Sequence, residues 1–287
     1  MDTTAHPSFP PSSVPVDPYR VAPDTWIIPE LFPAAPGTFV PVNSLVIAGS
    51  EPVIVDTGTH LNQRRWLDQV FCLVDPDAVR WVYLSHDDHD HVGSLPAVLD
   101  ACPNATLVTT WFSVERLRGD YALPIQRMRW VNDGDSFDAG DRSLVAVTPP
   151  IFDSPTSRGL FDARTGVYWA VDAFACLITD PAMNDVADLD TEFWRHGLLD
   201  NNRLISPWHT LLDPRKFDRH VDKIATLPIR TLTSAHSAAI HGDQVADALR
   251  LIRQIARMDA AALPGQGDLE ALLALLAGDQ TPAPSAP

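Results

Sequence analysis

The apolar positions of this chain change their spacing several times, and each change predicts an element. Ser44 to Ala48 and Pro52 to Val55 are β-rich runs separated by Gly49-Ser50-Glu51, the pattern of two strands joined by a tight turn. From Leu61 to Val74 the apolar residues fall at Leu67, Val70, Phe71 and Val74, a helical period. Arg80 to Leu84 is a short apolar strand that stops at a cluster of His and Asp. Ser94 to Ala101 predicts a short helix, and Thr106 to Thr109, Leu144 to Thr148 and Val167 to Val171 predict strands. Helical periods return over Pro214 to Thr226 and Asp243 to Met258, and weakly over Leu269 to Leu276. Strands and helices alternate at first and strands then follow one another. That order predicts a layered α/β protein with helices outside its sheets.

Proline usage sets the expected boundaries. Ten prolines fall in the first 41 residues and three in the last six, whereas Asn43 to Ile240 contains no linker or repeat. The expected organisation is a Pro-rich tail over 1–23, one domain over 24–260, and a short helix with a Pro/Ala-rich tail over 261–287. Charge narrows the partners. Lys and Arg number 21 against 37 Asp and Glu, a net −16, so the chain repels phosphate backbones and nucleic acid is not an expected partner. No run of 18 apolar residues predicts a membrane span, and no basic stretch followed by an apolar one opens the chain, so a cytoplasmic protein is expected. Cys72, Cys102 and Cys176 lie far apart and read as small buried hydrophobes, with neither a disulfide framework nor a Cys-based zinc site.

The chemistry concentrates at Ser85-His86-Asp87-Asp88-His89-Asp90-His91-Val92-Gly93. Positions 86 to 91 are all His or Asp and directly follow an apolar strand. On a turn at a strand end, alternate side chains converge, so His86, Asp88 and Asp90 share one spacing while His91 turns to a neighbouring point. Imidazole and carboxylate donors of this kind suit zinc, manganese or iron. Two further candidates lie far along the chain. Asp172 sits inside the apolar run V-Y-W-A-V-D-A-F-A, where a carboxylate is costly unless paired or metal-bound. His236 follows the β-rich run beginning at Thr231. Each, taken alone, reads equally as a structural residue. Trp111, Tyr121, Trp130, Trp208 and His209 lie in irregular stretches that would flank such a site, as pocket wall or as plain packing.

Taken together, these motifs resemble the metallo-β-lactamase fold, and within it the flavodiiron and oxygen-binding di-iron branch. That branch carries H-x-E-x-D-H-x-G-S-L-P followed by P-N-A; this chain has His86 through Pro96 in that pattern and then Pro103-Asn104-Ala105. Its N-S-Y-L-I and L-I-D-T are similar to Asn43 to Ile47 and Ile54 to Thr57, and its N-D-A-F-G to Val171 to Ala175. Its S-H-G matches Ala235-His236-Ser237 only loosely, and the likeness spans roughly residues 24 to 255. The resemblance implies an αββα sandwich of two mixed sheets with helices on the outer faces. It implies His86, Asp88 and Asp172 around one metal and Asp90, His91, His236 and a shared Asp172 around the other. Asp56 would brace the loop, while His89, extra to the branch's motif, is expected to be exposed or to lie in the surroundings rather than to be a ligand.

The chain departs from the branch at two donors. The family's Glu is Asp88 here, one methylene shorter. A family His in an H-W-P-D-S segment falls on Asp153 when Pro155 and Ser157 are aligned, or on Phe152 if the gap moves. No flavin-binding domain is expected after the last helix, and electrons are then expected to come from a separate protein. The expectation is two metal ions, with carboxylate donors favouring iron over zinc or manganese, and a reaction with or sensing of dioxygen. The alternative is a dinuclear zinc or manganese hydrolase of an ester, lactone or phosphoester. Expected partners are dioxygen or another small-molecule substrate, an electron-donor protein, and a second copy in a homodimer.

Overall fold

A computed structural model describes residues 13–278, with the side chains of 275–278 excepted. The first sheet has seven strands: β1 (Tyr19–Ala22), β2 (Thr25–Ala35), β3 (Thr38–Ile47), β4 (Val53–Val55), β5 (Trp81–Tyr83), β6 (Thr106–Thr109) and β7 (Met128–Trp130), in that order across the sheet. β1 to β4 pair antiparallel and β4 to β7 parallel. The second sheet holds β8 (Ser136–Asp138), β9 (Ser143–Val147), β10 (Gly159–Asp162), β11 (Val167–Trp169), β12 (Thr231–Thr233) and β13 (Ile240–His241), antiparallel except where β11 meets β12. Both sheets are mixed, as expected.

Strand side chains alternate between faces, and here both faces are apolar because both are covered. Leu45, Val55, Tyr83, Val108, Leu144, Leu160 and Trp169 point between the sheets and form one core cluster. Their neighbours Val46, Ile54, Val82 and Leu107 point outward, against Trp66 and Val70 of α1 (Gln63–Phe71), Leu95 and Val98 beyond α2 (His89–Val92) in α3 (Leu95–Ala101), and Leu117 of α4 (Trp111–Leu117). Across the molecule, Phe161, Tyr168 and Leu232 face α5 (Thr191–Ile205), α6 (Pro214–Ala225) and α7 (Asp243–Ile252) through Trp194, Leu198, Val221 and Leu249. A last helix, α8 (Gln266–Gly278), exposes Leu269, Leu272 and Leu273. Among the described residues, no helix is long and apolar enough to cross a membrane.

The Pro-rich N-terminal stretch differs from its expected role as a tail. Within residues 1–23, β1 belongs to the first sheet, Val14 bridges Leu31, and Val16 accepts hydrogen bonds from Arg65 and Gln69. Prolines are tolerated because β1 pairs only with Thr25–Ile27, leaving Pro29 and Pro33 beyond it, where a missing N–H costs fewer ladder bonds. The expected tail residues 1–12 and 279–287 lie outside the described residues.

Candidate metal centre

Each candidate residue follows a strand. Parallel neighbours end at the same edge, so β4 and β5 deliver Asp56 and His86 side by side, and β11 and β12 deliver Asp172 and His236. The loop after β9 brings Asp153 to the same place. Around His86 Nε2 lie Asp88 Oδ2 at 3.3 Å, Asp153 Oδ1 at 3.4 Å and Asp172 Oδ2 at 3.8 Å. The other oxygen of Asp172 faces a second group: Asp172 Oδ1 is 3.0 Å from His91 Nε2 and 3.1 Å from His236 Nε2. Asp90 Oδ2 completes that group, 3.3 Å from His236 Nε2 and 3.7 Å from His91 Nε2. Asp172 therefore turns one oxygen to each cluster.

These distances do not come from internal hydrogen bonding. His86 Nε2 and both oxygens of Asp172 are buried without a hydrogen-bond partner, although nitrogens lie within reach. Donor atoms that converge without being aligned on one another are arranged as metal ligands are, since unpaired buried polar groups are costly. The donor groups Asp90, His91, His236 and His86, Asp153, Asp172 each span little enough to hold one ion. The residues present fit a metal centre made of two donor groups, with Asp172 facing both.

Without metal, protons do the balancing. Burial would depress His86, but the facing Asp153 and Asp88 carboxylates raise it to about 10. His236 likewise reaches about 9 against its burial, through Asp172 and Asp90. Burial also opposes His91, yet Asp172, Asp90 and Asp56 hold it well above its ordinary value. Asp172 is driven well below the usual carboxylate range by His91 and His236, against the cost of its burial. A divalent cation bound here would take the place of these protons.

The surroundings fix each imidazole by its far nitrogen. His91 Nδ1 donates to Asp56 Oδ2 at 3.0 Å, His236 Nδ1 donates to Pro41 O at 2.8 Å, and His86 Nδ1 lies 3.1 Å from Thr156 Oγ1. All three thus present Nε2 to the centre, the orientation such contacts normally enforce on metal-binding histidines. Asn43 Nδ2 ties down the His236 loop through the carbonyls of Ser234 and Ser237. Backbone strain is concentrated here: Asp56, Val171 and Phe174 all have positive φ, and Val171, at +59°, is β-branched. Its carbonyl is held by Ala235 N at 2.7 Å and Ser234 Oγ at 2.9 Å, which keeps Asp172 aimed inward.

The structure brings together His86, Asp88, Asp90, His91, Asp153, Asp172 and His236, with Asp56 behind them. His89 is exposed on α2 and joins none of the donor groups. Asp153 turns inward because Phe152 turns away: the Phe152 carbonyl accepts from Ser206 Oγ and Trp208 Nε1, both at 2.7 Å, and its ring packs on Trp208. His209 is fully buried and bonds Ile255 O, so it is packing, and Trp111 and Trp130 lie on the surface. Sequence reasoning passed over Thr156 and Glu30. Glu30 is buried in β2 and accepts from Thr59 N, Thr59 Oγ1 and Asn62 Nδ2, fixing the loop after β4. A lone carboxylate within W-I-I-P-E-L-F was the available signal.

A family profile described as ODP family beta lactamase matches residues 40–245, which include every candidate donor. The chain belongs to that family. This ODP-family chain is similar to the anaerobic nitric oxide reductase flavorubredoxin of Enterobacter sp. (strain 638), 27% identical over 191 residues, 64% of this chain and 39% of the relative. Putative diflavin flavoprotein A 2 of Nostoc sp. (strain PCC 7120) is 30% identical over 151 residues, 52% of this chain and 25% of the relative. The chain thus spans less than half the length of these curated relatives. Among solved structures, the flavodiiron protein from Giardia intestinalis superposes with a TM-score of 0.72 at 19% identity, covering 85% of this chain and 60% of that one. A fragment (1-254) of putative diflavin flavoprotein A 5 from Nostoc sp. gives 0.66 at 16% identity, covering 86% and 97%. At these identities the likeness is one of fold: the ODP-family chain has the lactamase-like domain of flavodiiron proteins.

Proposed function

We propose that this domain holds a di-iron centre that reacts with or senses dioxygen, using electrons from a separate donor protein. The observation that carries the reading is the donor set around His86 Nε2: one imidazole against the carboxylates of Asp88, Asp153 and Asp172. Oxygen donors are hard and anionic, which favours the ferric state that redox chemistry visits and hydrolysis does not need. The name of the Enterobacter relative, an anaerobic nitric oxide reductase, makes nitric oxide the second gas to test.

Iron bound here would supply the change of oxidation state. The chain's own residues do the rest. Asp172, with one oxygen toward His86 and the other toward His91 and His236, would be a donor to both ions. Asp56, Pro41 and Thr156 hold the three imidazoles with Nε2 inward. Asp88, Asp90 and Asp153 are partly exposed, so small molecules reach the centre from their side.

Zinc outcompetes ferrous iron at most sites, so metal content on purification does not decide the matter. Apo-protein reconstituted separately with Fe²⁺ and Zn²⁺ does. The proposal expects the iron form, given a reductant, to consume dioxygen or nitric oxide, or to change its visible spectrum reversibly on binding either gas. A zinc form that hydrolyses esters or lactones, beside an iron form inert to both gases, would establish the hydrolase instead.

A further inference from the structure

Asp87, buried in the His86–His91 run, groups with His86 and Asp88 but meets His86 on the ring nitrogen opposite the centre. Its side chain is 1% exposed, and its Oδ1 lies on the Nδ1 side of His86, at 3.4 Å, opposite the Nε2 that faces the centre. Between them stands Thr156. Thr156 Oγ1 donates to Asp87 Oδ1 at 2.7 Å, which spends its only proton. The contact of 3.1 Å between His86 Nδ1 and Thr156 Oγ1 must then be donated by the imidazole. A carboxylate thus dictates, through one hydroxyl, that His86 carries its proton on Nδ1 and offers a lone pair at Nε2.

The second oxygen of Asp87 meets Arg116 of α4, with Nε at 2.5 Å. The same guanidinium reaches Asp88, NH2 to Oδ1 at 3.5 Å, while Asp88 Oδ2 faces His86 Nε2. Arg116 therefore stands on the outer side of two consecutive carboxylates. One of them orders His86, and the other is the shorter side chain that replaces the family's Glu. With one Asp88 oxygen drawn to the guanidinium, only the other is presented to the centre.

We propose that Asp87, Thr156 and Arg116 are positioning residues for the first metal. Asp87 acts through Thr156 to set the tautomer of His86, and Arg116 fixes Asp88 as a single-oxygen donor. The inference rests on the dinuclear reading. It adds that the two metals are supported unequally: the network touches His86 and Asp88 and none of Asp90, His91 or His236.

The test is a chelator competition with Co²⁺ on the full chain, which reads two binding steps and a visible spectrum for each. His236→Ala identifies the step belonging to the second metal. Thr156→Val and Arg116→Gln are expected to weaken the other step about 10- to 100-fold and alter its spectrum, leaving the second step unchanged. Arg116→Lys should recover part of the loss, since it keeps the charge but not the fork. Arg116 is 46% exposed, so its variants have little fold to lose, and melting of the apo-protein checks this. The inference is overturned if both steps keep their wild-type constants, or if both weaken together with the apo melting temperature. If the unaltered chain binds fewer than two ions, the dinuclear reading itself falls first.

Discussion

Asp56 Oδ2 stands 3.0 Å from His91 Nδ1, from a backbone position with φ of +57°. The same carboxylate accepts from Ser85 N at 2.7 Å and from Ser85 Oγ, so it joins the ends of β4 and β5 while aiming an imidazole. Asp56→Ala should weaken the metal held by His91 about 10- to 100-fold. It should also cost the apo-protein about 1–3 kcal/mol, because buried donors lose their acceptor. Chelator titration reads the first effect and urea unfolding the second.

Asp172→Ala should abolish binding of both ions, since each cluster contains one of its oxygens. His236→Ala should chiefly remove one, because His236 contacts Asp90 and Asp172 but none of Asp88, Asp153 or His86 at ion-pair distance. Elemental analysis of metal-replete protein distinguishes the two patterns. A ratio of one ion per chain in the unaltered protein would count against a shared Asp172.

Gly93 closes the metal-bearing loop onto the neighbouring strand end. Its N–H donates to Gly58 O at 2.8 Å, and a Cβ there would sit 2.2 Å from His60 N and 2.4 Å from Thr59 C. Both are backbone atoms that cannot swing aside. Gly93→Ala should therefore destabilise the fold by about 3 kcal/mol, the upper range for overpacking, although the backbone φ itself suits alanine. Thermal unfolding checks it, with reduced occupancy of both metals as the accompanying result.

The metal-free protein should lose stability as pH rises. His86 and His236 titrate at about 10 and about 9 in the fold against an ordinary 6.5, so their protonated forms stabilise the folded state. For groups raised in this way, the contribution is complete below the unfolded value and disappears as pH passes the folded one. The apo melting temperature should fall between pH about 6.5 and about 10, while the metal-loaded protein, whose imidazoles are already deprotonated, shows no such loss. Parallel calorimetric scans with and without metal measure the difference.

Replacing Asp153 by His should shift the first metal toward nitrogen ligation. Asp153 Oδ1 lies 3.4 Å from His86 Nε2, close enough for the longer imidazole to reach the same locus after a rotamer change. Competition between Zn²⁺ and Fe²⁺ should move in favour of zinc by several-fold. An unchanged ratio would mean that Asp153 does not set the metal preference.

The sequence by itself determined the layers and the location of the chemistry. Alternating and helical periods recur over β3 to β6, α6 and α7 because burial on defined faces imposes them, and a run of six His and Asp after an apolar strand has few other uses. Tertiary structure decided matters that depend on distant partners. Tyr19 to Ala22 fall in the stretch expected as a tail until they are seen to pair with Thr25–Ile27. Phe152 and Asp153 are equal candidates in one dimension; Ser206 and Trp208, more than fifty residues away, pull the first outward and leave the second facing His86. Asp87 and Asp88 are adjacent and identical, yet they sit on opposite sides of one imidazole, because a turn at a strand end sends successive side chains in opposite directions. A linear pattern states which groups can bind. Which atoms face one another is fixed by the strand ends that the sheets bring together.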